Sequence, residues 1–400
     1  MAPPPPTAVL TETVSTPAPV SPGYTKPVNS IADLPKATVE NVQDDPRHPL
    51  YLGDWERSVP GKDTYFAIDD LDEPHIKRKN AILQKHPEIK ELYGCDKNTI
   101  WITMLAAASQ VALAYLFGRV LTDYTWTMVL VAYVVGGSFT SLYGVIIHET
   151  CHSLAHTNHF VNRLVGLCAN IGIVFPIAMS FRRHHLEHHT YQGVIGKDPD
   201  LPLDWEVKII GNHPFLKIIW VFFYPLMYVV RGAAQGKRLT PWEITNIFFT
   251  LCTDTLIWFY CGPRGFIYLF MSLWLGYGFH IGAVHFIQEH YTFTDGQETY
   301  SYYGSGNKLF MNIGYHNEHH DFVKIPWSGL PAVRDTAPEF YNTLSYHTSW
   351  VMVLWMFITD TILAPQSRAV RFYRDHLVGR RFFKVPGFGA TSPTLSKKAQ

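Results

Sequence analysis

Three histidine clusters stand out in this chain: His148-Glu-Thr-Cys-His152, His185-Leu-Glu-His188-His189 and His316-Asn-Glu-His319-His320. Together they offer eight imidazole ligands. A single zinc ion is satisfied by three or four ligands, so eight exceed one closed site. Imidazole also suits iron, and eight nitrogens fit two ions side by side. On a helix, 148 and 152 share a face, as do 185, 188 and 189, and again 316, 319 and 320. His184 and Glu187 then point elsewhere. The repeated i, i+3, i+4 set lets one imidazole serve one metal while its neighbour serves the other.

Two other chemistries compete for the same residues. His148-Glu149-Thr150-Cys151-His152 has the H-E-x-x-H form of a zinc protease, in which Glu149 would be the general base. Such a site needs one further ligand and leaves most of the remaining histidines without work. A non-catalytic metal carrier would instead place histidines along a pore inside the membrane. Here they fall just outside the apolar runs. The expectation is a membrane-embedded two-iron oxidation catalyst.

The elements that must position these residues are membrane helices. The chain is 47% hydrophobic, 14% aromatic and 16% charged, against about 25% charged in a typical soluble domain. Net charge is zero, which removes the electrostatic case for nucleic acid. Cys95, Cys151, Cys168, Cys252 and Cys261 make neither a CxxC pair nor a secreted disulfide framework, which favours a reducing, cytosol-facing setting. Four apolar runs read as spans: Ile100 to Phe117, Trp126 to Ile147, Ile247 to Cys261 and Phe266 to Phe286. The last two are separated by Gly262-Pro263-Arg264-Gly265.

Leu164 to Phe181 and Phe215 to Val230 are also apolar, and parity assigns them to the interface. Only four spans leave all three clusters on one side. Arg182, Arg183, Lys208, Lys237 and Arg238 lie on that side, which makes it cytosolic. An amphipathic stretch from Asp72 to Tyr93, broken at Pro87, is expected as a cytosolic or membrane-surface helix pair.

Residues 1–60 read as a disordered Pro-rich tail, 61–375 as the membrane domain and 376–400 as a C-terminal tail. No signal peptide is apparent, and Met-Ala replaces the Met-Gly of an N-myristoylation motif. Lys397 and Lys398 resemble a dilysine signal for retrieval to the endoplasmic reticulum. The expected location is that membrane, multi-pass, with both termini cytosolic.

The three boxes resemble those of the membrane fatty-acyl desaturase and hydroxylase superfamily. The words His285-Phe-Ile-Gln-Glu-His290-Tyr, Glu298-Thr-Tyr-Ser-Tyr-Tyr-Gly304 and Asn312-Ile-Gly-Tyr-His-Asn-Glu-His-His-Asp-Phe322 are similar to the sphingolipid Δ4-desaturases, over about Tyr65 to Arg371. That resemblance implies two non-haem irons, O2 as co-substrate, dihydroceramide as lipid substrate, and electrons from cytochrome b5 and its reductase. It also implies a ninth histidine near the end of the fourth span. His285 and His290 both qualify, with His290 preferred. No His-Pro-Gly-Gly motif of a fused haem domain is present.

The expected fold is therefore all-α and integral to the membrane: four transmembrane helices plus interfacial helices under a cytosolic His-rich di-iron cap. Ligating histidines are oriented by acceptors for their other N–H. The candidates are Glu149, Glu187, Asp198, Asp200, Glu289, Glu318 and Asp321. Asn312 or Asn317 could hold iron through a water. His280 is expected in the core, while His156 and His159 lie beside the site or in solvent. Trp205, Tyr300, Tyr302, Tyr303 and Trp327 are expected as framework aromatics. A sphingolipid C4-hydroxylase and a desaturase of another lipid class remain the alternatives within the family.

Overall fold

Long apolar helices dominate the computed structural model, which describes residues 66–67, 74–294 and 296–371. The expectations for the Pro-rich tail, the C-terminal tail and the dilysine pair lie outside the described residues. Among the described residues, three helices are long and apolar enough to cross a membrane: Asn98–Val120, Thr125–Cys151 and Pro241–Tyr277. A bent pair, Pro214–Phe222 and Tyr224–Ala234, would make a fourth if it counts as one span. The protein is a mostly helical membrane protein.

The third of these helices doubles back on itself. Gly262 has φ 78° and ψ 172°, and Pro263 follows it. Glycine reaches that φ without steric penalty, and proline cannot supply the N–H that would continue the ladder. Trp258 and Phe266 have ring centroids 5.8 Å apart, whereas eight residues of straight helix would separate them by about 12 Å. Before the break, Asn246 accepts from the Met179 N–H at one end, and the Phe259 and Tyr260 carbonyls accept from Arg119 at the other. After it, Arg264 donates to Thr125, and the Ser272 carbonyl accepts from Thr140. The second half thus runs back beside Thr125–Cys151.

Small residues let these backbones approach. A Cβ at Gly118 would stand 1.8 Å from the Cys261 carbonyl oxygen, and one at Gly276 2.7 Å from the Thr140 Cβ. Close backbone contact of this kind is how membrane helices associate without a hydrophobic driving force between them.

The expected run Phe266 to Phe286 is helical only to Tyr277. Beyond it the His280 side chain accepts from Gly282 N–H and starts a short 3-10 turn, Ile281–Val284, which leads into the helix His285–His290. A polar residue that bonds its own backbone two residues on competes with helix continuation. His280 is held as a core residue between Ser138 and Ser141.

Of the stretches assigned to the interface, Leu164 to Phe181 breaks after the helix His159–Asn170 and resumes at Ala178–Tyr191. Neither piece reaches the length of a span. The other stretch is the pair bent by 75°. Its Lys217 donates to the Asp360 and Leu363 carbonyls, next to a short apolar helix, Trp350–Thr359, that was not anticipated.

At the N-terminal side, Pro87 divides the helix Pro74–Lys85 from the 3-10 turn Pro87–Leu92, as the sequence suggests. Its apolar face is packed against the protein. Ile82 and Ile89 join Phe322, Ile325, Leu330 and Tyr341 in a separate core beneath the third histidine box. Among the described residues, two short parallel pairings join distant segments: Phe66–Ala67 with Ala369–Val370, and Ser301–Tyr302 with Tyr346–His347.

Candidate metal centre

Each histidine box arrives on its own helix end. His148 lies in the last turn of Gly137–Cys151 and His152 caps it. His185, His188 and His189 lie on Ala178–Tyr191, and His316, His319 and His320 on the short, wholly buried helix His316–Asp321. His290 ends the helix that follows the 3-10 turn.

These residues converge into two groups. His148, His152, His185, His189 and His319 form one, with ligand atoms within 4.8 Å of each other. His188, His290 and His320 form the second. His316 joins the second, its Nε2 lying 2.9 Å from that of His290.

The spacing within each group suits a cation. His185 Nε2 is 2.9 Å from His152 Nε2 and 3.0 Å from His189 Nε2, and His189 Nε2 is 3.1 Å from His319 Nε2. In the second group, His290 Nε2 lies 3.0 Å from His188 Nε2. An imidazole nitrogen either donates or accepts, so these chains of close nitrogens cannot be satisfied by hydrogen bonds among themselves. Neighbouring ligands of a six-coordinate ion with metal–nitrogen bonds of about 2.1 Å would sit about 3.0 Å apart. Several ring nitrogens here also lack any hydrogen-bond partner, including both of His148 and Nε2 of His320.

Electrostatics keeps the lone pairs free. Burial first, then neighbouring imidazoles, holds His152, His185, His189, His290, His316, His319 and His320 well below the usual imidazole range. His188 differs. Burial again disfavours its charge, but Asp198 and Asp200 outweigh that and raise it. Its Nδ1 bonds Asp198 at 3.0 Å, with Asp200 at 3.6 Å. A carboxylate on the remote nitrogen is the usual partner of a ligating histidine.

The other expected acids separate by contact. Glu289 accepts from His285 Nδ1 at 2.7 Å and lies 3.5 Å from His316 Nδ1. Glu149 is 3.7 Å from His148 Nδ1 and accepts from the Trp327 N–H at 3.1 Å. Glu318 accepts from Ser301 and Tyr303, and Asp321 accepts from His75, Arg78 and Tyr341.

Glu187 pairs with Lys237 on the outside, away from the imidazoles. Asn312 donates to the Trp327 carbonyl, and Asn317 accepts from Arg78 and donates to the Thr299 carbonyl. His285 bonds Glu289 and belongs to neither group. His156 and His159 make local bonds to Asn158 and Ser153. Of the framework aromatics, Tyr300 and Tyr302 are buried, and Trp327 donates to Thr99. Trp205 is 41% exposed.

Sequence reading missed His75 and Arg78. Both are buried, and Arg78 grips Asp321 with two nitrogens at 2.7 and 2.9 Å. The available signal was their i, i+3 spacing in line with Ile82, a buried stripe containing polar residues.

An apolar cavity of about 200 Å3 opens beside the five-histidine group. Its wall includes Gly144, Ile147, Phe181, Tyr228, Trp274 and Phe286. Ile147 adjoins His148 in sequence, and Phe181 stacks on His185 at 5.1 Å and 14°. The arrangement can hold two cations against the head of a hydrocarbon-shaped slot.

Comparison with known proteins agrees with this geometry. A family model described as Fatty acid desaturase matches residues 124–359, and one described as Sphingolipid Delta4-desaturase (DES) matches residues 66–98. A rice protein (Oryza sativa subsp. japonica) named sphingolipid delta(4)-desaturase DES1-like is 40% identical over 318 residues, covering 79% of this chain and 95% of the relative. The Homo sapiens protein named sphingolipid delta(4)-desaturase DES1 is 39% identical over 311 residues, 77% of this chain and 95% of its own. The Drosophila melanogaster protein of the same name is 39% identical over 307 residues, 76% and 94% respectively.

Proposed function

We propose, from the premise that this chain belongs to the sphingolipid Δ4-desaturase family, that it introduces a trans C4–C5 double bond into dihydroceramide at a centre of two irons. It is an oxidoreductase of sphingolipid metabolism. The observation that carries the metal reading is the convergence of nine buried or half-buried imidazoles into two groups beside an apolar cavity. The proposed ligands are His148, His152, His185, His189 and His319 for one iron, and His188, His290, His316 and His320 for the other. When bound, such a pair supplies the electrons that cleave O2 and the oxidant that takes hydrogen from an unactivated methylene.

The protein's own residues perform the remaining tasks. The cavity removes a hydrocarbon chain from water and fixes its direction toward His148 and His185. Gly144 lets Tyr277 pack closely against the wall of the slot, since a Cβ there would meet the Tyr277 hydroxyl at 2.8 Å. Asp198 fixes the tautomer of His188 by accepting from Nδ1, which leaves Nε2 for a metal. The outcome at the substrate depends on how the slot places C5 relative to C4, because orientation decides among competing fates of one bound chain.

Electrons come from cytochrome b5 and its reductase. The proposed membrane is the endoplasmic reticulum, crossed four times, with both termini cytosolic. The doubled-back helix Pro241–Tyr277 supports this count, because it makes two crossings of one long element. The protease reading finds no support at Glu149. That carboxylate is buried and occupied by the Trp327 N–H.

The test is mass spectrometry of sphingoid bases from cells lacking their own Δ4-desaturase, supplied with cytochrome b5 and expressing wild type or His188→Ala. A Δ4-trans base from wild type and none from the variant is the expected result. A 4-hydroxy base instead would make the protein a C4-hydroxylase. No new base from expressed wild type would overturn the assignment.

A further inference from the structure

The helix Pro74–Lys85 precedes every apolar run, yet its first turn reaches the metal centre. His75 is buried, and its ring centroid lies 4.7 Å from that of His320. His75 Nδ1 is 2.8 Å from Asp321 Oδ1, and Nε2 is 3.1 Å from Thr299 Oγ1. The Thr299 hydroxyl is in turn 3.5 Å from His290 Nδ1 and accepts from Gln192 Nε2 at 3.2 Å.

His75 Nδ1 faces Asp321 Oδ1 at 2.8 Å and Arg78 Nη2 at 3.1 Å, and the shorter contact, to a carboxylate, calls for a proton on Nδ1. His290 turns Nε2 toward His188 and His316, so its proton sits on Nδ1 and points at Thr299. With its oxygen accepting there, the Thr299 O–H is left to donate, and His75 Nε2 is the acceptor within reach. His75 then carries its proton on Nδ1 and donates to Asp321, a carboxylate that Arg78 holds through two nitrogens and Tyr341 through its hydroxyl. From His290 to Asp321 each donor then faces an acceptor, Arg78 Nη2 being directed to Asp321 and Asn317, and each hydrogen bond polarises the next. The 3.5 Å contact is the longest link, so the hydroxyl is the sensitive point of the path.

We propose that His75 is a positioning residue of the metal centre, fixing through the Thr299 hydroxyl the tautomer and aim of His290. The N-terminal helix thereby completes the centre instead of merely covering it. This rests on the reading of His290 as a ligand made above. A carboxylate joined directly to a ligating histidine is a common arrangement. Here the carboxylate is relayed through a second imidazole and a hydroxyl; Thr299 and Asp321 lie inside the residues matched by the fatty acid desaturase model, and His75 lies inside those matched by the sphingolipid one.

The experiment measures iron retained per chain by full-length protein purified in detergent and dialysed against a graded chelator series. Thermal unfolding of the metal-free protein is followed in parallel. Thr299→Val keeps the shape and removes the hydroxyl, Thr299→Ser restores it, and His75→Phe keeps a ring without nitrogens. The expected result is iron affinity weakened about 10- to 100-fold in Thr299→Val and His75→Phe. Thr299→Ser should stay near wild type, and metal-free unfolding should be unchanged in Thr299→Val. Wild-type iron affinity in Thr299→Val would overturn the proposal, as would a Thr299→Ser variant as defective as Thr299→Val. If wild type itself retains no iron while His188→Ala behaves identically, the two-iron reading fails first and takes this one with it.

Discussion

The two histidine groups are built from the same residue type but supported differently. The four-histidine group is backed by polar partners: Asp198 on His188, Thr299 on His290, and Glu289 close to His316. The five-histidine group leans on apolar and ring contacts. Phe181 lies flat on His185, and His148 packs at 4.3 to 5.1 Å from the rings of His152, His185 and His319. Both His148 nitrogens lack a hydrogen-bond partner. The cavity adjoins this second kind of surface. One face of the proposed centre is therefore dressed for hydrocarbon and the other for charge, which under that proposal separates holding the metals from meeting the substrate.

The largest effect should come from removing a ligand in either group. His188→Ala and His189→Ala are each expected to abolish the unsaturated product, measured as the fraction of Δ4 base in the assay above. If one of the two retained product within about tenfold of wild type, an effect smaller than that of losing a partner of a ligand, the groups would not act as one centre.

The next contrast sets the supports against each other. Asp198→Asn keeps shape but removes the carboxylate from His188, and is expected to weaken iron retention about 10- to 100-fold. Glu149→Gln, its nearest counterpart in the five-histidine group, stands 3.7 Å from His148 and should change retention less than about threefold, as a contact beyond hydrogen-bond range does. Equal losses in the two variants would erase the asymmetry. Iron measured against chelator separates them without relying on turnover.

The apolar side is tested by filling it. Ile147→Trp pushes an indole into the cavity wall one residue before His148. Product should fall roughly tenfold, the scale at which pocket volume discriminates substrates, while bound iron stays at the wild-type level. Loss of iron together with product would place the cavity in the role of metal support, and the division between the two faces would fail.

Much of this was legible in the residues because it follows from periodicity. The i, i+3, i+4 spacing put 185, 188 and 189 on one face, and the apolar runs marked the membrane helices. What periodicity could not convey is contact between distant segments. Asp198 lies ten residues beyond His188, past the end of its helix, and reaches it only because the chain turns back at Gly193 and Gly196, both at positive φ. His75 meets Asp321 across 246 positions. The fourth apolar run ended early for a local reason, the bond His280 makes to its own backbone, which hydropathy does not register. Trp205 shows the converse, an aromatic whose residue type suggested framework and whose side chain is 41% exposed.

Glu187 sharpens the same point at the smallest scale. It sits inside the second box, flanked by histidines, and by sequence proximity is the foremost acid to support them. On the helix it points away and pairs with Lys237, with both side chains a quarter or more exposed. An exposed ion pair of this kind contributes about 0–1 kcal/mol and is screened by salt. Glu187→Ala should therefore leave iron retention and product within about twofold of wild type, since an effect that small on stability cannot reach the ligands. A loss comparable to that of Asp198→Asn would mean that box membership outranks contact, and the polar backing of His188 would have to be reassigned from the distant carboxylate to the adjacent one.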